Sequence, residues 1–130
     1  MTHPLAGMRF ETALGTLTVT EILLDFDGPQ ILSCRDAAGY RYVAHIVQEL
    51  ADGDRWFLIP VSLERLAAIR QGTIDLRTSV SQPESGWIWD ITVRHDGSQG
   101  NASPRDAASL DDCELPGAHA RLHLRGDPPS

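Results

Sequence analysis

The sequence predicts an α+β fold: a strongly bent antiparallel β-sheet or small barrel of about five to seven short strands, packed with one main α-helix. Three observations lead there. Short apolar runs alternate with turn residues from Met8 to Val61. A single segment, Leu63 to Gln71, shows helical apolar spacing between a capping serine and a glycine. The strands between Gln30 and Val61 are apolar on both faces, so the sheet must curl on itself, be covered by other elements or meet a partner. With 130 residues, 42% of them hydrophobic, the chain can build one core that is stable without disulfides or metals.

The first strand is expected near Met8 to Glu11 and the second from Leu17 to Leu24. Within the second, Leu17 and Val19 share one parity while Ile22 and Leu24 take the other, and a bulge near Thr20 and Glu21 would return them to a single face. Asp25-Phe26-Asp27-Gly28-Pro29 reads as a turn, with glycine for positive φ and proline to fix re-entry. Gln30 to Arg35, Tyr40 to Glu49 and Arg55 to Val61 follow as a three-stranded meander, joined by turns at Asp36-Ala37-Ala38-Gly39 and Asp52-Gly53. These turns set a register in which facing residue numbers add to about 75 in the first hairpin and about 105 in the second. One face then carries Ile31, Tyr42, Ala44, Ile46, Phe57, Ile59 and Val61, and the other Leu32, Cys34, Val43, Val47, Trp56 and Leu58.

Ser62 is placed to cap a helix over Leu63 to Gln71 and Gly72 to stop it, because serine accepts from the exposed N–H groups of a first turn and glycine adopts the left-handed exit. Asp75 caps a further short turn through Leu76 to Val80. Gly86 opens a strand in which Trp87, Trp89, Ile91 and Val93 form an alternating stripe, expected to be mostly buried. The β-rich globular domain is thus assigned to 1–93. Residues 94–114 are Gly, Ser, Asn, Asp and Pro rich and read as a flexible polar linker. A tail over 115–130 follows, whose residues 120–124 alternate as an edge strand would.

Charge limits the partners. Eighteen carboxylates against eleven cations give a net charge of −7, which disfavours nucleic acid and anionic membranes and favours a basic protein. All the cations are arginine, so lysine chemistry such as Schiff-base formation or a P-loop is excluded. No segment has the length of a membrane span or the pattern of a signal peptide, and a cytoplasmic location is expected. Cys34 and Cys113 are accordingly expected as reduced thiols.

Candidate chemistry is sparse. His119 and His123 would lie about 13 Å apart on a strand, too far to join Cys113 around one metal ion. The same spacing argument separates Cys34 from His45, which are not expected to form a nucleophile and base. No cofactor motif is present. Acidic residues at turns, Asp25, Asp27, Asp52 and Asp54, suit local hydrogen bonding and also an acidic rim that receives the arginines or lysines of a partner. Trp56 joins them as a candidate partner-binding residue, because tryptophan dominates interface hot spots.

The stretch from Leu14 to Val93 resembles a family of small bacterial domains of unknown function. The carrying motifs are Pro60-Val61-Ser62-Leu63-Glu64-Arg65-Leu66, of the form Pro-x-Ser-x-x-Arg-Leu, and Gly72-Thr73-Ile74-Asp75-Leu76-Arg77, of the form Gly-x-Ile-Asp-Leu-Arg. The resemblance implies a β-rich domain with one main helix and brings no activity, catalytic residue or cofactor with it. The expected function is a non-catalytic, acidic protein-interaction module of a bacterial cytoplasmic system, of antitoxin, immunity or defence-accessory type. The alternative is a small-molecule binding or hydrolytic domain with an acidic cleft near Asp25 and Asp27.

Overall fold

A computed structural model describes residues 7–25, 29–98, 100–117, 120–122 and 124. Seven antiparallel strands form one sheet whose spatial order is the chain order: β1 (Arg9–Thr12), β2 (Gly15–Asp25), β3 (Pro29–Arg35), β4 (Arg41–Glu49), β5 (Gly53–Pro60), β6 (Trp87–Arg94) and β7 (Ala102–Asp106). The sheet curls into a half-barrel, bringing β1 against β6 across its concave side. Between β5 and β6 the chain makes the helices α1 (Leu63–Gln71) and α2 (Leu76–Ser81). The helices are few and short, so the fold is mostly β, with α1 as its main helix.

Both faces of the sheet are covered within the chain. On the concave side Leu17, Val19, Leu32, Cys34, Ala44, Trp56, Leu58 and Ile91 make a core drawn from strands alone. On the convex side Leu23, Ile31 and Val43 pack against Leu66 and Ile69 of α1, Leu76 of α2 and Leu122. Beside them Phe57, Ile59 and Ile88 pack against Val80 of α2. Burial of this apolar area on two sides is the main force holding the bend.

The helix boundaries follow from side-chain chemistry. Ser62 Oγ accepts from Arg65 N at 3.1 Å, and Gly72 ends α1 in the left-handed conformation at φ 78°. Asp75 accepts from Thr78 N at 2.6 Å to start α2. In β2 the register shifts between Val19 and Glu21, leaving Thr20 as the bulge. Ile22 thereby returns to the concave face of Leu17 and Val19. A second shift between Ile22 and Leu24 sends Leu23 into the convex core and leaves Leu24 39% exposed. One bulge is therefore not enough to put all four apolar residues on one face.

The meander forms, but β4 is turned over relative to the expected register. Ile31 faces His45 and Leu32 faces Ala44, while Ile46 faces Trp56. Tyr42, Ala44 and Ile46 therefore lie on the concave face with Leu32, Cys34, Trp56 and Leu58, and Val43 lies on the convex face with Ile31. Both hairpins explain this. In the first, Gly39 at φ 93° adds a left-handed residue after the turn, and Asp36 N donates to Tyr40 O at 3.0 Å; the extra position reverses the face of everything after it. In the second, Leu50 N donates to Gly53 O at 2.8 Å, one position earlier than the expected turn. A bulge at Val47 then restores the phase of β5 with β3.

Residues 94–114, expected as a polar linker, contain β7, which pairs with β6 from Ile91 opposite Ala102 to Trp87 opposite Asp106. Two 3-10 turns follow at Ala107–Ser109 and Asp112–Glu114. Pairing to β6, packing of Ala102 and Leu110 on the cores and burial of Ala107 hold this stretch to the body, and a cluster of ion pairs adds to them. Arg55 donates to Asp90 at 2.9 and 2.6 Å and to Glu114 at 2.9 Å, and Arg105 donates to Glu114 at 2.7 Å. Both guanidiniums lie over the buried Phe57 ring, at 5.3 and 5.8 Å from its centroid, where cation–π attraction adds to the ion pairs.

The hydrogen bond from Arg105 is the main influence holding the Glu114 carboxyl at about 2, against an ordinary 4.5. A carboxyl with a depressed folded value stabilises the fold above its unfolded value and loses that contribution as pH falls through the folded one. Glu114→Gln is expected to cost about 1–2 kcal/mol at neutral pH after allowance for solvent screening. The difference from wild type should vanish between pH 4.5 and about 2, as followed by urea unfolding across pH.

The described part of the tail runs along the helices. Leu124 N donates to Arg70 O at 2.7 Å and Leu76 N to Ala120 O at 2.7 Å, Arg121 donates to Gly72 O at 2.6 Å, and Leu122 is buried. The edge strand expected over 120–124 is not formed by the described residues, because their backbone groups pair with helix ends instead of a strand.

Candidate functional site

The acidic rim and an open aromatic groove lie at opposite ends of the sheet. Asp25 ends β2 at the same end as the β4–β5 turn, which carries Asp52. Asp52 is already paired with Arg94 at 2.8 Å, and Asp54 lies 3.4 Å from His95 Nε2. Asp52 thus spends part of its field on the chain's own Arg94. Asp27 and the side chain of Asp25 lie outside the described residues. Trp56 is 6% exposed in the concave core, so it is structural here and offers no surface to a partner.

At the other end an open groove of about 580 Å³ is lined by Tyr40, Arg41, Tyr42, Pro60, Glu84, Trp87 and Trp89 among others. Each wall is set by local chemistry. The Asp36 carboxylate accepts from Ala38 N and Tyr40 N, both at 3.0 Å, and from the Tyr42 hydroxyl at 3.1 Å. That fixes the loop that presents Tyr40 and the ring of Tyr42. Burial and the Asp36 hydrogen bond push the Tyr42 phenol up to about 12, so it is a neutral donor. Glu84 is held by Ser62, whose N and Oγ donate at 2.8 and 3.0 Å. Gly86 at φ 78° turns the chain into β6.

Trp87 and Trp89 meet edge to face, with centroids 5.1 Å apart and planes at 89°. Trp89 packs on the concave core, whereas Trp87 is 36% exposed and Tyr40 70% exposed. The stripe expected to be buried therefore leaves the core at Trp87, where the sheet ends. The Asp36 and Glu84 carboxylates have no ion pair among the described residues. The groove thus combines flat, partly wet aromatic walls with one carboxylate, Glu84, and one guanidinium, Arg41, in its lining.

Other candidates stay apart. Cys34 is in the concave core, where burial pushes its thiol up to about 12, and His45 lies on the convex face opposite Phe57. Cys113 is exposed, while His119 and His123 lie outside the described residues. No group of three or more metal-ligating side chains occurs among the described residues. The groove was missed in the sequence because its aromatics come from strands far apart in the chain. The available signal was a pair of alternating aromatics, Tyr40 and Tyr42, beside a second such pair, Trp87 and Trp89.

Fold and site together define a small half-barrel β domain with an aromatic groove at one end. The chain belongs to a family of unknown function (DUF6575), whose model matches residues 8–117. No curated protein and no solved structure matches the chain. No helix among the described residues is long and apolar enough to cross a membrane.

Proposed function

We propose that this domain is a non-catalytic protein-interaction module whose groove receives a segment of a basic partner protein. The observation that carries the reading is the exposure of Tyr40 and Trp87 beside Glu84 in one groove. Aromatic rings with a polar edge bind well at interfaces, and a carboxylate without an ion pair, here Glu84, attracts cations. The net charge of −7 supports the same choice of partner. Size and acidity suit a cytoplasmic bacterial antitoxin, immunity protein or defence accessory, an analogy of kind and not of sequence.

Selection of random peptides displayed on phage tests this reading. The wild-type domain should enrich basic peptides, and Tyr40→Ala and Trp87→Ala should lose them while melting at nearly the wild-type temperature, since both side chains are substantially exposed. Equal enrichment by the variants, or enrichment of no peptide while small apolar fragments bind the groove, would overturn it.

A further inference from the structure

We infer that the occupant of this groove is a proline-rich segment in the polyproline II conformation, with one arginine or lysine beside the prolines. The inference rests on the interaction reading above and names the chemistry of the partner. Tyr42 faces Pro60 across β4 and β5, and Leu58 faces Trp89 across β5 and β6. Trp87, the next residue on the Trp89 side of β6, is therefore level with Pro60. Tyr42, Pro60 and Trp87 form a row across three adjacent strands, and two strand spacings separate its ends by about 10 Å. In a polyproline II helix, residues i and i+3 fall on one face about 9 Å apart. Two prolines at that spacing can each rest on one ring of the row.

The alternatives fit less well. Strand addition needs an open edge, but β4, β5 and β6 are interior strands of the sheet. A helix satisfies its own carbonyls, whereas a polyproline II segment leaves them free to accept. The groove offers donors for them: the indole N–H groups of Trp87 and Trp89 and the Tyr40 hydroxyl, which have no partner among the described residues. Charge places the cation. Arg41 and Glu84 both line the groove, and Glu84 is anchored on Ser62, two residues past Pro60, so the cationic residue of the segment seats beside Glu84.

Titration calorimetry with synthetic ten-residue peptides decides it. The probe carries prolines at i and i+3 with a flanking arginine; the controls replace both prolines by alanine or the arginine by glutamate. The probe should bind the wild-type domain at least about tenfold more tightly than either control. Trp87→Ala should abolish that preference, and Glu84→Gln should weaken the probe about fivefold and flatten its salt dependence. Melting temperatures of both variants confirm that they fold. Equal affinity for the proline and alanine peptides, or indifference to Glu84→Gln, would overturn the inference. Peptides lacking prolines that are nonetheless selected through Tyr40 and Trp87 would overturn it and leave the interaction reading standing; absence of any peptide bound in the groove would remove both.

Discussion

Trp56→Ala is expected to destabilise the domain by about 3–5 kcal/mol, the usual range for emptying a buried aromatic site. The indole packs in the concave core with Leu17, Val19, Leu58 and Ile91. It faces Ile46 on β4 and Ile91 on β6, so its loss opens a cavity in the middle of the sheet. Denaturant unfolding should show a lower midpoint with an unchanged slope. An unchanged melting temperature would mean that the concave face is held together by something other than this core.

Acidification should weaken the fold in two windows that meet between pH 4.5 and 4, and His45 governs the upper one. Its ring lies under α2 in a pocket lined by Ile31, Val43, Leu76, Ser79, Val80 and Pro116. Burial lowers its value to about 4 from 6.5, and the imidazole is neutral in the fold. The Ser79 hydroxyl uses its proton on Leu76 O at 2.7 Å and does not donate to the ring. Between pH 6.5 and 4 the unfolded chain binds a proton that the fold resists, so the contribution of His45 to stability falls as pH drops across that interval and levels off below it. The expected loss is about 2–3 kcal/mol. His45→Leu should abolish this slope. It should also hold or raise stability at neutral pH, since Nδ1 is buried without a hydrogen-bond partner and removing an unsatisfied polar atom is favourable. A parallel loss in wild type and variant between pH 6.5 and 4 would assign the slope to another group.

Local chemistry was legible in the sequence and long-range phase was not. Ser62, Gly72 and Asp75 act on residues within one turn, so their roles as caps and stop could be read directly. The bulge at Thr20 was legible for a similar reason: the parity change it corrects lies within β2 itself. The face of β4 depended on one added left-handed residue at Gly39 and one bulge at Val47, and neither changes the apolar pattern of the strand. β7 was hidden because Ser103, Pro104 and Arg105 carry no apolar alternation; the strand is fixed by pairing to β6 and by the Arg105–Glu114 ion pair. Of the candidate site, the acidic rim was visible as turn aspartates. The groove was not, because it exists only once β4, β5 and β6 lie side by side.

Because every strand of the half-barrel pairs with its neighbour in sequence, the sheet can grow in the order in which the chain is synthesised. Successive hairpins close short loops and carry little loop-closure entropy, which keeps contact order low for a β-rich protein and favours rapid folding. The longest step in the ladder is from β5 to β6, spanned by α1 and α2. A chain emerging from the ribosome can therefore assemble β1 to β5 first, with an exposed β5 edge, and seal that edge when β6 arrives. The contact of β1 with β6 across the concave side then forms late and closes the curl, so the aromatic groove, which needs Tyr42 of β4 and Trp87 of β6 together, is completed only at the end of folding.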